Sequence, residues 1–342
     1  MTSDRPIFVV GCPRSGTTLL SLMIHAHPRL SMPPESRFLL PTWRARARYG
    51  DLSTPAQRKQ LARACTRKGS RVRDLGLDPR ALRRQILAAP PTIGSAFGTV
   101  FQAYADLHGK ARWGDKRPLY FQEVYVLLRL FPDAQVVHIV RDPRATVASL
   151  GSMPWWPYDS VASMATWAQA DYCARRDRRR LPADVFTVVR YESLVADPES
   201  ELCRLCAFLT EDFDPAMLRP SEVRHLVPSG KHWHGNLAAS VGSHRVDAWQ
   251  GDLEPWELGL LEAVLARRLR RHDYPVSGEG LRPSPWLRAR YAKELAVRQA
   301  SMHRRWVEER RDARRSTQPV AARLTTGQRR AVAGTHEVVD QG

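Results

Sequence analysis

The chain has 342 residues, 43% of them hydrophobic, and a formal net charge of +18. The hydrophobic fraction suffices for a substantial core and therefore excludes wholesale disorder. The excess of basic residues predicts an anionic partner, whether a phosphorylated ligand, a nucleic acid or a membrane surface. Only six of the 53 basic residues are Lys, and an arginine-rich coding bias would produce the same charge.

Several features predict a cytoplasmic protein. No run of about 18 apolar residues occurs, which excludes a membrane-spanning helix, and the short run Ile7–Val10 is no secretory signal. Five Cys, an odd number, argue against a disulfide scaffold and for a reducing interior. Cys203 and Cys206 form a CxxC pair. Apolar residues recur around them at helical spacing, which predicts a buried helix face and no metal or redox site.

Taken in chain order, three short apolar runs read as strands, and each opens onto a turn and a helical pattern. The strands are predicted at Ile7–Val10, Gln135–Val140 and Val185–Val189, with helices at 17–26, 143–150 and 198–209. Strands that are apolar on both faces belong to parallel sheets covered by helices. The pattern therefore predicts an α/β fold with a P-loop-like parallel sheet flanked by helices.

The remaining segments are predicted to be helical or disordered. Residues 42–109 read as a helical insertion that forms a substrate cap, and 254–271 as another amphipathic helix. A long Arg-rich helix is predicted at 284–312. The predicted organisation is a main domain at 1–281, a basic C-terminal helix within 282–315 and a disordered tail at 316–342.

The positive charge is concentrated in two of these segments. Residues 42–84 carry a net charge of +10 and residues 282–315 a net charge of +7, whereas the rest of the chain up to residue 281 is neutral. These two segments are therefore predicted to meet an acidic acceptor, an acidic partner or the surface of a membrane. No zinc finger, basic zipper or aromatic RNA-binding signature accompanies them, so no specific nucleic-acid partner is predicted. The oligomeric state is left open.

The sharpest motif is the loop that follows the first strand. Gly11 and Gly16 have the spacing of a phosphate-binding loop, and a helix with hydroxyl residues in its first turn follows. Thr17 occupies the position where a nucleotide triphosphatase has Lys, so no side chain reaches a γ-phosphate. Further donors for an anion are Arg14, Ser15 and Thr18.

A second loop follows the strand Gln135–Val140. Arg141 ends that strand, Asp142 suits a helix N-cap and Pro143 suits the first helical position. Ser149 lies about two turns further along the predicted helix. Arg141 and Ser149 are therefore predicted to flank a second phosphate. Together, the two loops predict a ligand with two separated anionic ends.

These motifs resemble those of the sulfotransferases that use 3′-phosphoadenosine 5′-phosphosulfate (PAPS). Residues 13–18 look like the 5′-phosphosulfate loop of that family, and Arg141 to Ser149 look like its 3′-phosphate motif. The resemblance implies that Arg14 to Thr18 bind the 5′ end and that Tyr191, in Arg-Tyr-Glu-Ser-Leu, contacts the adenine. It implies transfer of a sulfuryl group from PAPS to a hydroxyl, with release of 3′-phosphoadenosine 5′-phosphate (PAP).

The same resemblance suggests the catalytic residues. Glu35, in Pro-Pro-Glu-Ser-Arg, resembles the general base of tyrosylprotein and several bacterial sulfotransferases. Because steroid and phenol sulfotransferases use a His instead, His108 is the alternative base. Lys116, in a predicted Gly-Asp-Lys-Arg-Pro turn, resembles the Lys that steadies the charge on the leaving phosphate. The planar guanidinium group of Arg14 has paired N–H donors that suit the oxygens of the sulfuryl group being transferred.

Acceptor and metal sites are less specified. No metal is predicted, and His232 and His234 are the nearest approach to a metal pair. A related bacterial motif would place cofactor contacts near Ser240, Ser243 and Arg245, which depart from the usual pattern. The aromatic residues that could form a wall for a small-molecule, lipid or carbohydrate acceptor are Trp155, Trp156, Tyr158 and Trp233.

Two other functions remain open at this point. A P-loop kinase would share the predicted fold, although Thr17 disfavours it. A basic nucleotide-binding protein without catalytic activity would also account for the two anion loops and for the charge of the chain.

Overall fold

A computed structural model describes residues 3–223 and 248–323. Its strands are β1 (Ile7–Gly11), β2 (Leu30–Ser31), β3 (Arg112–Lys116), β4 (Gln135–Val140) and β5 (Phe186–Arg190). All four strand pairings are parallel, and the order across the sheet is β2-β3-β1-β4-β5. The predicted α/β fold with a parallel sheet is confirmed.

The central strands β1 and β4 are buried along their whole length. In their register Ile7 lies opposite Gln135 and Gly11 opposite Ile139. Alternate residues of β1 enter opposite layers: Phe8 packs in the larger core cluster and Val9 in the smaller one. Since both faces are covered, these strands read as continuous apolar runs, which is why the sequence revealed them.

Strand β3 corrects the prediction of a turn around Lys116. Its sequence, Arg-Trp-Gly-Asp-Lys, is polar, yet all five residues are buried. Arg112 donates hydrogen bonds to the carbonyl oxygens of Arg5 and Leu209 and pairs with Glu211 at 3.1 Å. Buried polar groups are tolerated where hydrogen bonds satisfy them, so polarity hid a strand that tertiary contacts stabilise.

Twelve helices occur in the described ranges, and several cover the two faces of the sheet. Their bounds are α1 Thr17–Ala26, α2 Leu39–Arg44, α3 Pro55–Cys65, α4 Pro79–Ala88, α5 Ile93–Leu107, α6 Val124–Leu130, α7 Pro143–Gly151, α8 Ser160–Arg180, α9 Tyr191–Ala196, α10 Pro198–Leu209, α11 Pro255–Arg271 and α12 Pro285–Arg315. The helices predicted after β1, β4 and β5 and those near the C-terminus are confirmed to within about three residues. None of the described helices is long and apolar enough to cross a membrane.

The predicted insertion is helical and is built on an aromatic core. Phe38 packs against Phe97 and Phe101 with ring centroids 5.5 and 5.3 Å apart, and Phe101 stacks on Trp113 of β3 at 5.0 Å. The backbone N–H of Arg37 donates to the carbonyl oxygen of Ser70 at 3.2 Å. These contacts fix the insertion beside β3 and the segment that carries Glu35.

Helix α12 packs along α8, and residues 319–322 after it form backbone hydrogen bonds with α5 and α6. The N–H of Gly94 donates to the carbonyl oxygen of Val320 at 2.8 Å, and that of Ala322 to Leu130 at 2.7 Å. A Cβ at Gly94 would lie 2.5 Å from the backbone N of Ala322, so a side chain there would block this contact. Residues 316–323 therefore differ from the disordered tail that composition suggested, and 324–342 lie outside the described residues.

Candidate active site

The carboxyl ends of β3, β1 and β4 meet at one edge of the sheet, where the loop after β1 turns into α1. Gly16 has φ of 93° and Arg14 has φ of 71°, both in the left-handed region. The N–H of Ser15 donates to the carbonyl oxygen of Cys12 at 3.1 Å and closes the turn. A non-glycine residue held in this conformation is typical of a ligand-binding loop.

The loop presents the N-terminus of α1. Gly16 is the N-cap, and no side chain in the described ranges caps the helix. The first backbone N–H groups of a helix have no intrahelical acceptor and carry a partial positive charge. The end of α1 is therefore suited to an anion, as the sequence predicted from Gly16, Thr17 and Thr18.

The motif predicted that the Ser15 hydroxyl donates to an anion, but the structure places this side chain in the interior. Its side chain is fully buried, and its Oγ has no hydrogen-bond partner among the described residues. It lines a small pocket of about 10 Å³ with His138, Trp167 and Asp171. Burial lowers the pKa of His138 to about 3, so this imidazole is neutral. The Ser15 hydroxyl therefore belongs to the interior beneath the loop, and only its backbone contributes to the turn.

On the β3 side of the loop, three predicted residues meet. Lys116 ends β3 and is only 4% exposed. Its Nζ lies 2.8 Å from Oε1 of Glu35 and donates to Oγ1 of Thr18 at 3.3 Å. Glu35 follows β2 in a Pro-Pro turn, and a quarter of its side chain remains exposed. A carboxylate, an ammonium group and the start of α1 therefore converge at one point.

On the β4 side, the two predicted anion loops contact each other. Nε of Arg14 donates to Oγ of Ser149 on α7 at 3.0 Å. Nη1 of Arg141 donates to the carbonyl oxygen of Arg14 at 3.2 Å, while the Arg141 carbonyl oxygen accepts from Nε1 of Trp167. Two guanidinium groups and a hydroxyl thus lie together on the opposite flank of the loop from Lys116.

Tyr191 begins α9 directly after β5, and its ring packs against the loop between β1 and α1. Its ring lies so close to Gly16 that a Cβ at that glycine would be 2.5 Å from Cδ2 of Tyr191. The Arg141 guanidinium carbon is 4.5 Å from the centre of the Tyr191 ring, a cation–π contact. The ring is thus largely buried, and it links the two anion loops.

Sequence reasoning missed the residues that hold the start of α7. Arg144 is buried and donates to both carboxylate oxygens of Asp142. It also contacts Glu262 of α11 at 3.2 Å. Oε1 of Glu192 accepts from the N–H of Asp142 at 2.9 Å, and Oε2 accepts from the hydroxyl of Tyr274. Apart from Arg-Asp-Pro-Arg, this network joins residues far apart in sequence, so local motifs carried little signal of it.

His108, the alternative base, lies away from this edge of the sheet. It follows α5, at the amino end of β3, and its ring packs against His25 and Tyr104. With about 3.3 Å per strand residue, the length of β3 separates that end from Lys116 by more than 10 Å. His108 is therefore remote from the contact between Lys116 and Glu35.

Of the remaining predicted residues, some lie within the described ranges and others lie outside them. Trp156 contacts Trp155 and Tyr158 with ring centroids 5.9 and 5.0 Å apart, in the loop after α7. Cys206 is buried in α10 as expected, while Cys203 is exposed. Within 3–223 and 248–323 no cluster of metal-binding side chains occurs. The predicted residues that lie outside the described ranges are His232, Trp233, His234, Ser240, Ser243 and Arg245.

Comparisons with known proteins show what this chain is similar to. The profile described as the sulfotransferase family matches residues 6–215. A protein-tyrosine sulfotransferase of Drosophila melanogaster is 26% identical over 63% of this chain and 40% of its own length. The nodulation protein NoeE of Sinorhizobium fredii is 29% identical over 61% of this chain and 50% of its own. The chain thus spans half or less of the length of these curated relatives.

Solved structures support the fold. The sulfotransferase domain of the Synechococcus PCC 7002 olefin synthase aligns with a TM-score of 0.56 and 24% identity, covering 79% of this chain and 95% of that domain. The sulfotransferase domain of the curacin biosynthetic pathway aligns with a TM-score of 0.58 and 23% identity, covering 81% of this chain and all of that domain.

Proposed function

Because the chain belongs to the sulfotransferase family, we propose that it transfers a sulfuryl group from PAPS to a hydroxyl acceptor. The observation that carries the proposal is the position of Lys116 between Glu35 and Thr18. This one ammonium group contacts both a carboxylate and the hydroxyl at the start of the anion-binding helix α1.

The two flanks of the loop suit the two ends of PAPS. The 5′-phosphosulfate would lie at the N-terminus of α1, within reach of Lys116 and Thr18. The 3′-phosphate would lie near Arg141 and Ser149, where the guanidinium fork matches phosphate oxygens. Tyr191, packed between both loops, would border the adenine.

The chemistry would follow from the Glu35–Lys116 pair. Glu35 accepts the proton of the acceptor hydroxyl as the oxygen attacks sulfur, so that an O–S bond forms while the S–O bond to the 5′-phosphate breaks. Lys116 stabilises the negative charge that develops on the departing phosphate oxygen of PAP. Arg14 and the end of α1 hold the donor in line with the acceptor.

The proposal needs no metal ion, because Lys116, Arg14 and the positive end of α1 supply the charge stabilisation. Thr17 argues against a kinase, because it occupies the position where a triphosphatase carries its phosphate-binding Lys. Its side chain is also buried. A binding protein without activity would have no need of a carboxylate beside Lys116. We place the reaction in the cytoplasm, and the acceptor is a small molecule, a lipid or a carbohydrate.

The test is a pair of incubations of the chain with a panel of hydroxyl acceptors, one with PAPS and one with ATP and Mg²⁺. The expected result is a product heavier than its acceptor by one SO₃ group, with one PAP released per product, and no phosphorylation. Transfer from ATP would contradict the proposal in favour of a kinase. Binding of PAP without any transfer would support the inactive alternative.

A further inference from the structure

Helix α12 packs along α8 with one side and leaves its opposite side exposed. Its buried residues are Tyr291 and Met302. Because an α-helix turns by about 100° per residue, a residue two positions further along points to the opposite side. Lys293 and Arg304 stand two positions after Tyr291 and Met302, and both are exposed. We call the exposed side that they mark, within Pro285–Arg315, the outer face of α12.

Most carboxylates of α12 are engaged in ion pairs within the protein. Glu309 binds Arg46 at 2.9 Å, and Asp312 binds the same guanidinium group at 2.8 Å. Glu294 forms an ion pair one turn along the helix itself. The fourth carboxylate of the helix, Glu308, is exposed at the border of the outer face. The outer face therefore carries at most this one acidic residue.

Five basic residues share the outer face. They follow one another at spacings close to whole helical turns, which places their side chains in one row. None of them forms an ion pair with a carboxylate in the described parts of the chain. The five residues, all exposed, are Lys293, Arg304, Arg311, Arg314 and Arg315. The outer face is therefore a row of positive charge about 33 Å long.

Two large apolar side chains lie in the same row, towards the start of the helix. Trp286 is 66% exposed and Val297 is 58% exposed. Both share the register of Lys293, which Trp286 precedes by seven residues and Val297 follows by four. Leu281, shortly before the helix, is 61% exposed. Exposed apolar side chains bordered by polar residues mark a surface for a partner.

The combination of charge and apolar surface distinguishes between possible partners. A second copy of this chain would bring one row of positive charge against another, and the two rows would repel each other. A nucleic acid would meet the basic residues with its phosphates, but its backbone offers no apolar region to Trp286 and Val297. A membrane with anionic lipids offers phosphates at its surface and acyl chains directly beneath them.

We propose that the outer face of α12 binds the surface of a membrane that contains anionic lipids. The basic residues contact the lipid phosphates, while Trp286 and Val297 enter the boundary between headgroups and acyl chains, where Trp is favoured. This interaction goes beyond the proposed sulfuryl transfer and does not depend on it.

The test is co-sedimentation of the full chain with large lipid vesicles of two compositions. One is phosphatidylcholine alone, and the other contains about 30 mol % phosphatidylglycerol, which gives the surface a negative potential. The charge variant is Arg304→Gln/Arg311→Gln/Arg314→Gln, and the apolar variant is Trp286→Ser/Val297→Ser. Because all five positions are exposed, the thermal unfolding temperature should be unchanged.

Two control variants make the same kinds of change elsewhere on the surface. Arg63→Gln/Arg80→Gln/Arg84→Gln removes three exposed arginines of α3 and α4, so it lowers the net charge as much as the charge variant does. Leu107→Ser replaces an apolar residue of α5 that is 55% exposed. Both controls should bind the vesicles as the wild type does.

The wild type should bind the anionic vesicles far more tightly than the neutral ones, and less tightly as salt rises, because salt screens the attraction. The charge variant should bind them about 100-fold more weakly, since each Lys or Arg near such a surface contributes about fivefold. The apolar variant should lose at least about tenfold. Equal binding to both compositions, or an equal loss in the arginine control, would overturn the inference.

A parallel measurement with duplex DNA separates a membrane from a nucleic acid. Serine at positions 286 and 297 should weaken binding to vesicles and leave any binding to DNA unchanged, because DNA has no apolar layer for these side chains to enter. Binding to DNA that the charge variant loses, without binding to the anionic vesicles, would assign the outer face to a nucleic acid and would contradict the proposal.

Discussion

At the scale of single residues, Asp115 and Lys116 show how one strand serves both stability and the site. Lys116 reaches Glu35, whereas Asp115 is fully buried and bonded to Tyr120. Burial of an ionisable carboxyl is tolerated when the group is neutral, and the raised pKa of Asp115, about 7, reflects that cost.

The buried carboxyl of Asp115 predicts a pH-dependent stability. Below about pH 3 the group is protonated in both the folded and the unfolded protein and adds no penalty. As pH rises towards about 7, the unfolded state loses its proton before the folded state does, so the folded state is destabilised by on the order of 4 kcal/mol. Asp115→Asn should lose this component. Urea unfolding across this range would contradict the prediction if both proteins gave parallel curves.

Arg141 predicts a selective change in nucleotide affinity. Because it is assigned to the 3′-phosphate, Arg141→Ala should weaken PAP binding about 10- to 100-fold, the strength of a hydrogen bond to a charged group. Affinity for ADP, which has no 3′-phosphate, should change little. Calorimetric titration of both nucleotides measures the difference, and an equal loss for PAP and ADP would remove Arg141 from the 3′ site.

At the scale of elements, α7 is held in place by α11 through a buried ion pair. Glu262 accepts from the N–H groups of Ser277 and Gly278 as well as from Arg144, so it ties three segments together. Since Ser149 and the first turn after Arg141 lie on α7, this network sets the position of the proposed 3′-phosphate site.

Glu262→Gln should therefore destabilise the fold and weaken PAP binding. Removing one partner of a buried ion pair costs about 3–5 kcal/mol when nothing replaces it, and less here because Asp142 still binds Arg144. Arg219→Gln is the control, since the exposed pair with Glu222 should contribute about 1 kcal/mol or less. Equal unfolding free energies for the two variants would contradict the assigned role of Glu262.

The elements also show what the sequence could and could not reveal. Strands β1 and β4 and the helices after them follow from local patterns, so the sequence predicted that Arg14 and Thr18 follow β1 and that Arg141 and Ser149 follow β4. The roles of these four residues stay predictions. The pairing of Lys116 with a carboxylate 81 positions away depends on where β3 lies in the sheet, and no local pattern encodes this. The contact between Lys116 and Glu35 was therefore not predicted.

Ser15 illustrates a different limit. Its motif marks it as a hydroxyl donor to an anion, and Arg14 before it does contact Ser149 in the second predicted anion loop. The turn that Arg14 and Gly16 make in the left-handed region directs the Ser15 side chain into the interior. The direction of a side chain within a tight loop depends on backbone angles that the sequence alone does not fix.

At the scale of the whole molecule, several of the arginines behind the positive net charge form ion pairs between distant parts of the chain. Arg46 of the insertion binds both Glu309 and Asp312 of α12, and its guanidinium lies 4.0 Å from the centre of the Trp43 ring. Arg129 of α6 reaches the same two carboxylates. The basic insertion and the basic C-terminal helix thus form one assembly with the sheet domain, and the net charge is a poor guide to the site.

The segment after α12 predicts a contrast between two truncations. Removing residues 316–342 deletes buried Val320 and its backbone bonds to α5, whereas removing 324–342 leaves them. Burying a Val contributes about 1.5–3 kcal/mol, so the longer deletion should unfold at a clearly lower temperature than the shorter one. Identical melting temperatures for the two truncations would show that this segment does not support the fold.

The most direct test of the account is the turnover of Glu35→Gln with PAPS, measured beside its affinity for PAP. If Glu35 takes the acceptor proton, kcat should fall by about 10²- to 10⁴-fold, because that is the contribution of a general base. Affinity for PAP should remain close to wild type, since Lys116, Thr18 and Arg141 are intact. Turnover near the wild-type rate would contradict the account.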